Sequence, residues 1–157
     1  NDGMENWYCG GPKTIIDAMR KLQGQSTSNP SSISQWAAVE ALNGNQDFLK
    51  NWLESFEERR NKVFQMINSA KGLKCLKPKG AFYAIAQLPV DNADKFCQWL
   101  LEEFSHEGNT VMFAPAAGFY STKGMGEQEI RIAYVLNEND LHKAMDCLEV
   151  ALKQYNS

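Results

Sequence analysis

In GEQEIRIAYVL, residues 126–136, one permanent positive charge is set inside an alternation that otherwise reads as a half-buried strand. Ile130, Ile132 and Tyr134 share one face of that strand, and Arg131 shares the other with Ala133 and Val135. A guanidinium is planar, always charged and shaped to take a carboxylate through two parallel hydrogen bonds. On a core strand such a group is either an anion receptor or half of a structural ion pair. Glu129 and Asp140 are the carboxylates near enough in sequence to be its partner, and pattern alone leaves both readings open. The stretch before it, FAPAAGFYSTKGMG, is a long irregular loop able to shape a pocket.

Other chemistry finds less support. Gly124-Met125-Gly126 precedes a strand and carries no phosphate-loop lysine, so it reads as a turn. No serine sits in a nucleophile elbow, and neither His106 nor His142 has a cysteine or serine partner nearby in sequence. The acid pairs Glu57-Glu58 and Glu102-Glu103 lie on amphipathic segments, where carboxylates face solvent. Cys9, Cys75, Cys97 and Cys147 are too scattered for a zinc site or a disulfide framework. Four reduced structural cysteines are expected, with Cys97 and Cys147 facing the core as small apolar groups. Asn29 is followed by Pro30, which removes its glycosylation signal.

At 157 residues and 43% hydrophobic content the chain can bury one real core. A net charge of −3 with dispersed Lys and Arg lacks the basic stripe that a phosphate backbone requires, so nucleic acid is not an expected partner. No run approaches the roughly eighteen apolar residues of a membrane helix, and no signal-peptide pattern opens the chain, so a cytoplasmic protein with no membrane partner is expected. A chain opening at Asn1 and running at once into NWYCGGP, which reads as the end of a strand, suggests a fragment or processed product.

The elements that must position Arg131 follow from periodicity. Ile15, Ile16, Met19 and Leu22 predict an amphipathic helix from Pro12 to about Gln23. GQSTSNPSS, residues 24–32, reads as a loop. Ser32 and Gln35 have capping-box spacing and predict a helix burying Ile33, Trp36, Ala37 and Ala41, which closes at Gly44 in a left-handed cap. A second helix then runs to about Ala70, some twenty-five residues or roughly 37 Å, with FEERRNK (56–62) as its solvated face. Beyond Gly72 the pattern becomes strand (82–88), helix (93–105), strand (110–114), strand (129–135) and a final helix capped by Asn137 or Asn139. The first two strands should be parallel through a crossover and the third antiparallel to the second.

Three blocks carry a resemblance: QGQSTSNPSSISQWAAVEALNG (23–44), KPKGAFYAIAQLP (77–89) and FAPAAGFYSTKGMGEQEIRIAYVLNENDL (113–141). In order, spacing and content they look like the C-terminal part of class I, fold type I aminotransferases of the aspartate aminotransferase type. The resemblance implies an α/β protein: residues 1–44 a remnant of the large cofactor-binding domain, 45–71 the interdomain helix, and 72–157 an α+β two-layer small domain of β-α-β-β-α order. It implies an enzyme using pyridoxal 5′-phosphate to move an amino group between an amino acid, aspartate- or glutamate-like, and a 2-oxo acid. Arg131 falls on the arginine that grips the substrate α-carboxylate, and Ser28 and Asn29 lie in the loop that reaches the neighbouring subunit of a homodimer.

Departures accompany the match. The family's Schiff-base lysine would fall before Asn1, and Glu5 stands where a phosphate-binding arginine is usual. Ala116 follows Pro115 where glycine is usual, and Tyr120 replaces a small residue, which implies a bulkier pocket edge. Transamination needs an imine, a base and an electron sink, so this chain alone is expected to bind no cofactor and to be inactive. The alternative is a stand-alone, non-enzymatic relic of the same fold that binds a ligand or a subunit. Without a large domain, Trp7, Ile15, Trp36, Trp52 and Phe56 would be left exposed and favour association.

Overall fold

The structure is a computed structural model that describes residues 6–157, so the Glu5 substitution lies outside the described residues. It divides into two compact units, one ending at Lys50 and the other spanning Asn51–Ser157.

The first unit holds two helices, α1 (Lys13–Ser26) and α2 (Ser32–Asn43). Pro12 is the cap of α1 and its carbonyl accepts from the Ile15 and Ile16 amides at 3.0 and 3.1 Å. Residues 6–12 are irregular, not a strand end; a strand needs a neighbour for its peptide groups, and among the described residues none pairs with them. The loop is shorter than its composition suggests. Ser26 Oγ donates to the Leu22 carbonyl and Thr27 Oγ1 to that of Gln23, which carries α1 one turn further. The capping box does not form: Ser32 is the first residue of α2, Ser31 is its cap, and Gln35 Nε2 reaches back to the Pro30 carbonyl at 2.9 Å. Gly44 ends α2 in extended backbone (φ −76°, ψ 179°) rather than in a left-handed cap. The expected buried stripe is reversed. Ile33 and Trp36 are 72% and 73% exposed, Trp7 and Ile15 are exposed too, and α2 buries only Ser34. Apolar spacing folds a helix but cannot bury it without a facing layer.

The second unit carries the core. Helix α3 (Phe48–Ser69), whose start overlaps the division between the units, has 22 residues, about 33 Å at 1.5 Å each. Val63 and Ile67 are its buried residues. Gly72, at φ +85°, turns the chain out of α3; a side chain there would be strained and would press on Pro89 Cγ at 3.1 Å. Strand β1 (Lys74–Cys75), which periodicity does not reveal, follows. Then come β2 (Tyr83–Gln87), α4 (Ala93–Glu102), β3 (Ala114–Pro115), a 3₁₀ turn (Ala117–Phe119), β4 (Glu129–Ala133) and α5 (Glu138–Tyr155). Asn92 and Asn137 cap α4 and α5, their side chains accepting from the Lys95 and Asp140 amides at 3.0 and 3.1 Å.

The sheet order is β1-β2-β4-β3, and each neighbouring pair is antiparallel. β2 and β3 therefore point the same way, as the sequence predicts, and β4 lies between them. β3 is only two residues long because the chain before it is committed elsewhere. His106 and Asn109 exchange two backbone hydrogen bonds around Glu107 and Gly108, both at positive φ, and Thr110 Oγ1 donates to the Leu100 carbonyl at 2.6 Å. Ala84 and Ala86 of β2 and Ile130 and Ile132 of β4 face a core completed by Phe96 and Leu100 of α4, Leu148 and Leu152 of α5, and Val63 and Ile67 of α3. Helices thus cover one face of the sheet, the two-layer arrangement expected.

FEERRNK is more than a solvated face. Arg59 Nη1 donates to the Val135 carbonyl at 2.8 Å, Arg60 Nη2 to Glu57 at 2.5 Å, and Lys62 pairs with Glu138. The Arg60–Glu57 pair lies within α3, whereas the Arg59 and Lys62 contacts tie α3 to the segment leaving β4 and to the start of α5.

All four cysteines are free: Cys9 is exposed, and Cys75, Cys97 and Cys147 are buried. Burial, helped by Asp94, pushes the Cys97 thiol up to about 11, and burial also raises Cys75 and Cys147. A disulfide reagent at mildly alkaline pH is therefore expected to titrate one thiol, Cys9, in the folded chain, and the other three only after urea is added. Rapid native reaction of more than one thiol would contradict this packing.

Candidate functional site

The open face of the sheet is lined by Tyr83, Ile85 and Gln87 of β2 and by Glu129, Arg131 and Ala133 of β4. Strand alternation puts Arg131 there, because Ile130 and Ile132 on either side are claimed by the core. Arg131 lies opposite Ile85 on one neighbouring strand and Ala114 on the other. Its guanidinium carbon is 4.4 Å from the centroid of the Tyr83 ring and 4.7 Å from that of Phe119. Rings in that position hold a cation by its π-face and leave its N–H edge for an anion.

The ion-pair alternative is not what the structure shows. Among the described residues no carboxylate lies within pairing distance of Arg131. Both sequence candidates are engaged elsewhere: Glu129 accepts the Tyr120 hydroxyl at 2.6 Å, and Asp140 takes Asn137 Nδ2 at 2.6 Å within the cap of α5. The loop ahead of β4 supplies both Phe119 and Tyr120. The Ala116 amide bonds the Glu129 carbonyl at 2.8 Å, which fixes the loop to the strand, and the Gly124–Gly126 turn, at φ +86° and +75°, brings the chain back. The Glu129 carboxylate beside it raises the Tyr120 hydroxyl above its usual range.

Tyr83, Phe119 and the Tyr120–Glu129 bond are the parts of the site that periodicity does not reveal, since each depends on strand register or loop path. Ser28 and Asn29 sit in the first unit, in the exposed loop between α1 and α2, where Ser28 adopts φ +59°. The loop therefore turns sharply at Ser28.

A cleft of about 750 Å³ lies elsewhere, between the 106–113 segment and α5, with Val63, His106, Phe113, Lys143 and Cys147 on its walls. Arg131 does not line it. A smaller polar hollow of about 260 Å³, at Gln87, Gly126 and Glu129, adjoins the open face.

A cofactor held as an imine needs an amine shielded from water and a cradle for its phosphate. Among the described residues every lysine except Lys62 is exposed, and Lys62 is paired with Glu138. These residues do not fit pyridoxal phosphate. What they fit is a carboxylate.

Comparison with known proteins identifies the family. The family model for aminotransferase class I and II matches residues 3–148. The aspartate aminotransferase of Rhizobium meliloti is 39% identical over 166 residues, covering 96% of this chain and 38% of the relative. The aspartate/prephenate aminotransferase of Nitrosomonas europaea is 41% identical over 158 residues, covering 90% and 37%. Among solved structures, the Rhizobium meliloti aspartate aminotransferase superposes with a TM-score of 0.74 at 37% identity, over 92% of this chain and 36% of that one. The Thermus thermophilus aspartate aminotransferase with maleate gives 0.74 at 29% identity, over 90% and 35%. The chain thus spans rather more than a third of the length of the relatives it matches.

Proposed function

The chain belongs to the class I and II aminotransferase family, and on that premise we propose that it serves an enzyme moving an amino group between an amino acid and a 2-oxo acid, with Arg131 receiving the α-carboxylate. The observation that carries this reading is an arginine with no carboxylate of its own among the described residues, held against two aromatic rings on an open sheet face. The amino acid and the 2-oxo acid differ at Cα but share the carboxylate beside it. One fixed receptor therefore serves both half-reactions and places Cα the same way in each. The Thermus thermophilus relative was solved with maleate, a dicarboxylate, which supports an aspartate- or glutamate-like substrate.

In this reading residues 1–44 belong to the large domain, 45–71 form the interdomain helix and 72–157 the small domain. The protein is a cytoplasmic homodimer, with Ser28 and Asn29 at the subunit contact and the exposed apolar residues of α1 and α2 covered in the assembled enzyme. Pyridoxal phosphate supplies the electron sink in the complete enzyme. The residues described contribute the grip on the substrate, so the 157-residue chain alone is without transaminase activity. The test is direct: the full-length gene product should form oxaloacetate from aspartate and 2-oxoglutarate. A correctly folded, pyridoxal-phosphate-loaded product inert toward every amino acid and 2-oxo acid pair would overturn the proposal.

A further inference from the structure

The receptor on β4 has a rival for its arginine built into the same strand. Glu129 and Arg131 are two residues apart on one face, about 7 Å between Cα atoms, a separation that long side chains close readily. Left to themselves they would form an ion pair across the open face, and a substrate carboxylate would have to break it. They do not pair. The Glu129 carboxylate is taken by the Tyr120 hydroxyl at 2.6 Å.

Three local features hold that arrangement. Gly126, at φ +75°, leaves room for the Tyr120 ring: a Cβ there would lie 2.5 and 2.6 Å from Tyr120 Cε2 and Cδ2. The Glu129 amide donates to the Gly126 carbonyl at 3.0 Å, which anchors the turn to the start of the strand. Phe119, next to Tyr120 in the chain, lies against the Arg131 guanidinium. The same few residues hold the cation in place and take away its competitor. The rise in the Tyr120 hydroxyl pKa has the same cause, a charged carboxylate accepting a hydrogen bond from the protonated hydroxyl.

We propose that Tyr120 is a positioning residue that holds Glu129 off Arg131 and thereby sets the affinity of the site for carboxylate substrates. The proposal rests on the reading of Arg131 as the carboxylate receptor.

The test compares five forms of the full-length enzyme: wild type, Tyr120→Phe, Glu129→Gln, the double variant and Arg131→Gln. Steady-state rates are measured with aspartate and 2-oxoglutarate. Tyr120→Phe keeps the ring and loses only the hydroxyl, so it should raise KM for both substrates about fivefold, the strength of a partly exposed ion pair, with kcat within about twofold. Adding Glu129→Gln to Tyr120→Phe should restore the wild-type KM, a rescue that lost packing would not show. An unchanged KM in Tyr120→Phe, or a raised KM that Glu129→Gln does not restore, overturns the proposal. Arg131→Gln separates the two layers of inference. If it raises KM strongly while Tyr120→Phe does not, only the Tyr120 role falls; if it leaves KM untouched, the receptor reading falls and the Tyr120 role with it.

Discussion

Arg131→Gln in the full-length enzyme is expected to lower kcat/KM for aspartate and for 2-oxoglutarate by about two to four orders of magnitude while leaving thermal stability almost unchanged. Two hydrogen bonds from a guanidinium to a carboxylate contribute roughly 1.5–3 kcal/mol each, and about 1.4 kcal/mol is a factor of ten. Arg131→Lys keeps the charge but loses the planar fork, and should fall between glutamine and wild type. The stability half of the prediction follows from the surroundings. Arg131 is half-buried on the open face, has no ion pair among the described residues and stacks on Tyr83 and Phe119, so its removal unfastens no core contact. A melting temperature within about 2 °C of wild type is expected, since surface changes lie within about ±0.5 kcal/mol. A structural arginine would give the reverse pattern, a lower melting temperature with KM preserved.

How far the sequence alone reaches can be read from the same strand. The alternation Ile130, Ile132, Tyr134 is a property of the 130–134 segment by itself, so the strand, its buried face and the outward course of Arg131 are legible without the fold. What Arg131 touches is not. Tyr83 reaches it through the pairing of Ile85 with Arg131, and Phe119 through a 3₁₀ turn; both are non-local facts that no single window contains. The cap Asn137, one of the two asparagines that the sequence offers for the last helix, is legible because a cap is made within four residues. The predicted box at Ser32 and Gln35 is equally local and still fails, because Ser31 takes the cap and Gln35 finds the Pro30 carbonyl. Ile33 and Trp36 mark where periodicity misleads: it signals that a face is apolar, and burial depends on what lies opposite. The strand predicted over 110–114 shrinks to Ala114–Pro115 for a related reason, since Thr110 and the His106–Asn109 turn bind the end of α4 and each other first.

Phe96→Ala should be the most destabilising single change in the second unit, costing about 3–5 kcal/mol. Phe96 is fully buried, and its ring meets that of Tyr155 edge-on at 5.1 Å and that of Trp99 at 6.1 Å. Trp99 in turn lies 5.3 Å from Tyr155 and 5.4 Å from Phe104, so one ring joins α4 to the end of α5. Truncation leaves a cavity that rings fixed on two helices cannot collapse to fill. Against a total stability of about 5–15 kcal/mol this is a large loss, and with a urea slope near 2 kcal/mol/M the unfolding midpoint should fall by about 2 M with the slope preserved. The consequence for function is the converse of that for Arg131→Gln. Helices α4 and α5 press on Ala84, Ala86, Ile130 and Ile132, and those residues hold β2 against β4 in the register that sets Tyr83 beside Arg131. Phe96→Ala should therefore bind 2-oxoglutarate normally well below its midpoint and lose binding in step with unfolding, whereas Arg131→Gln should lose it with the fold intact. A Phe96→Ala protein with wild-type stability would mean that this aromatic cluster does not carry the core.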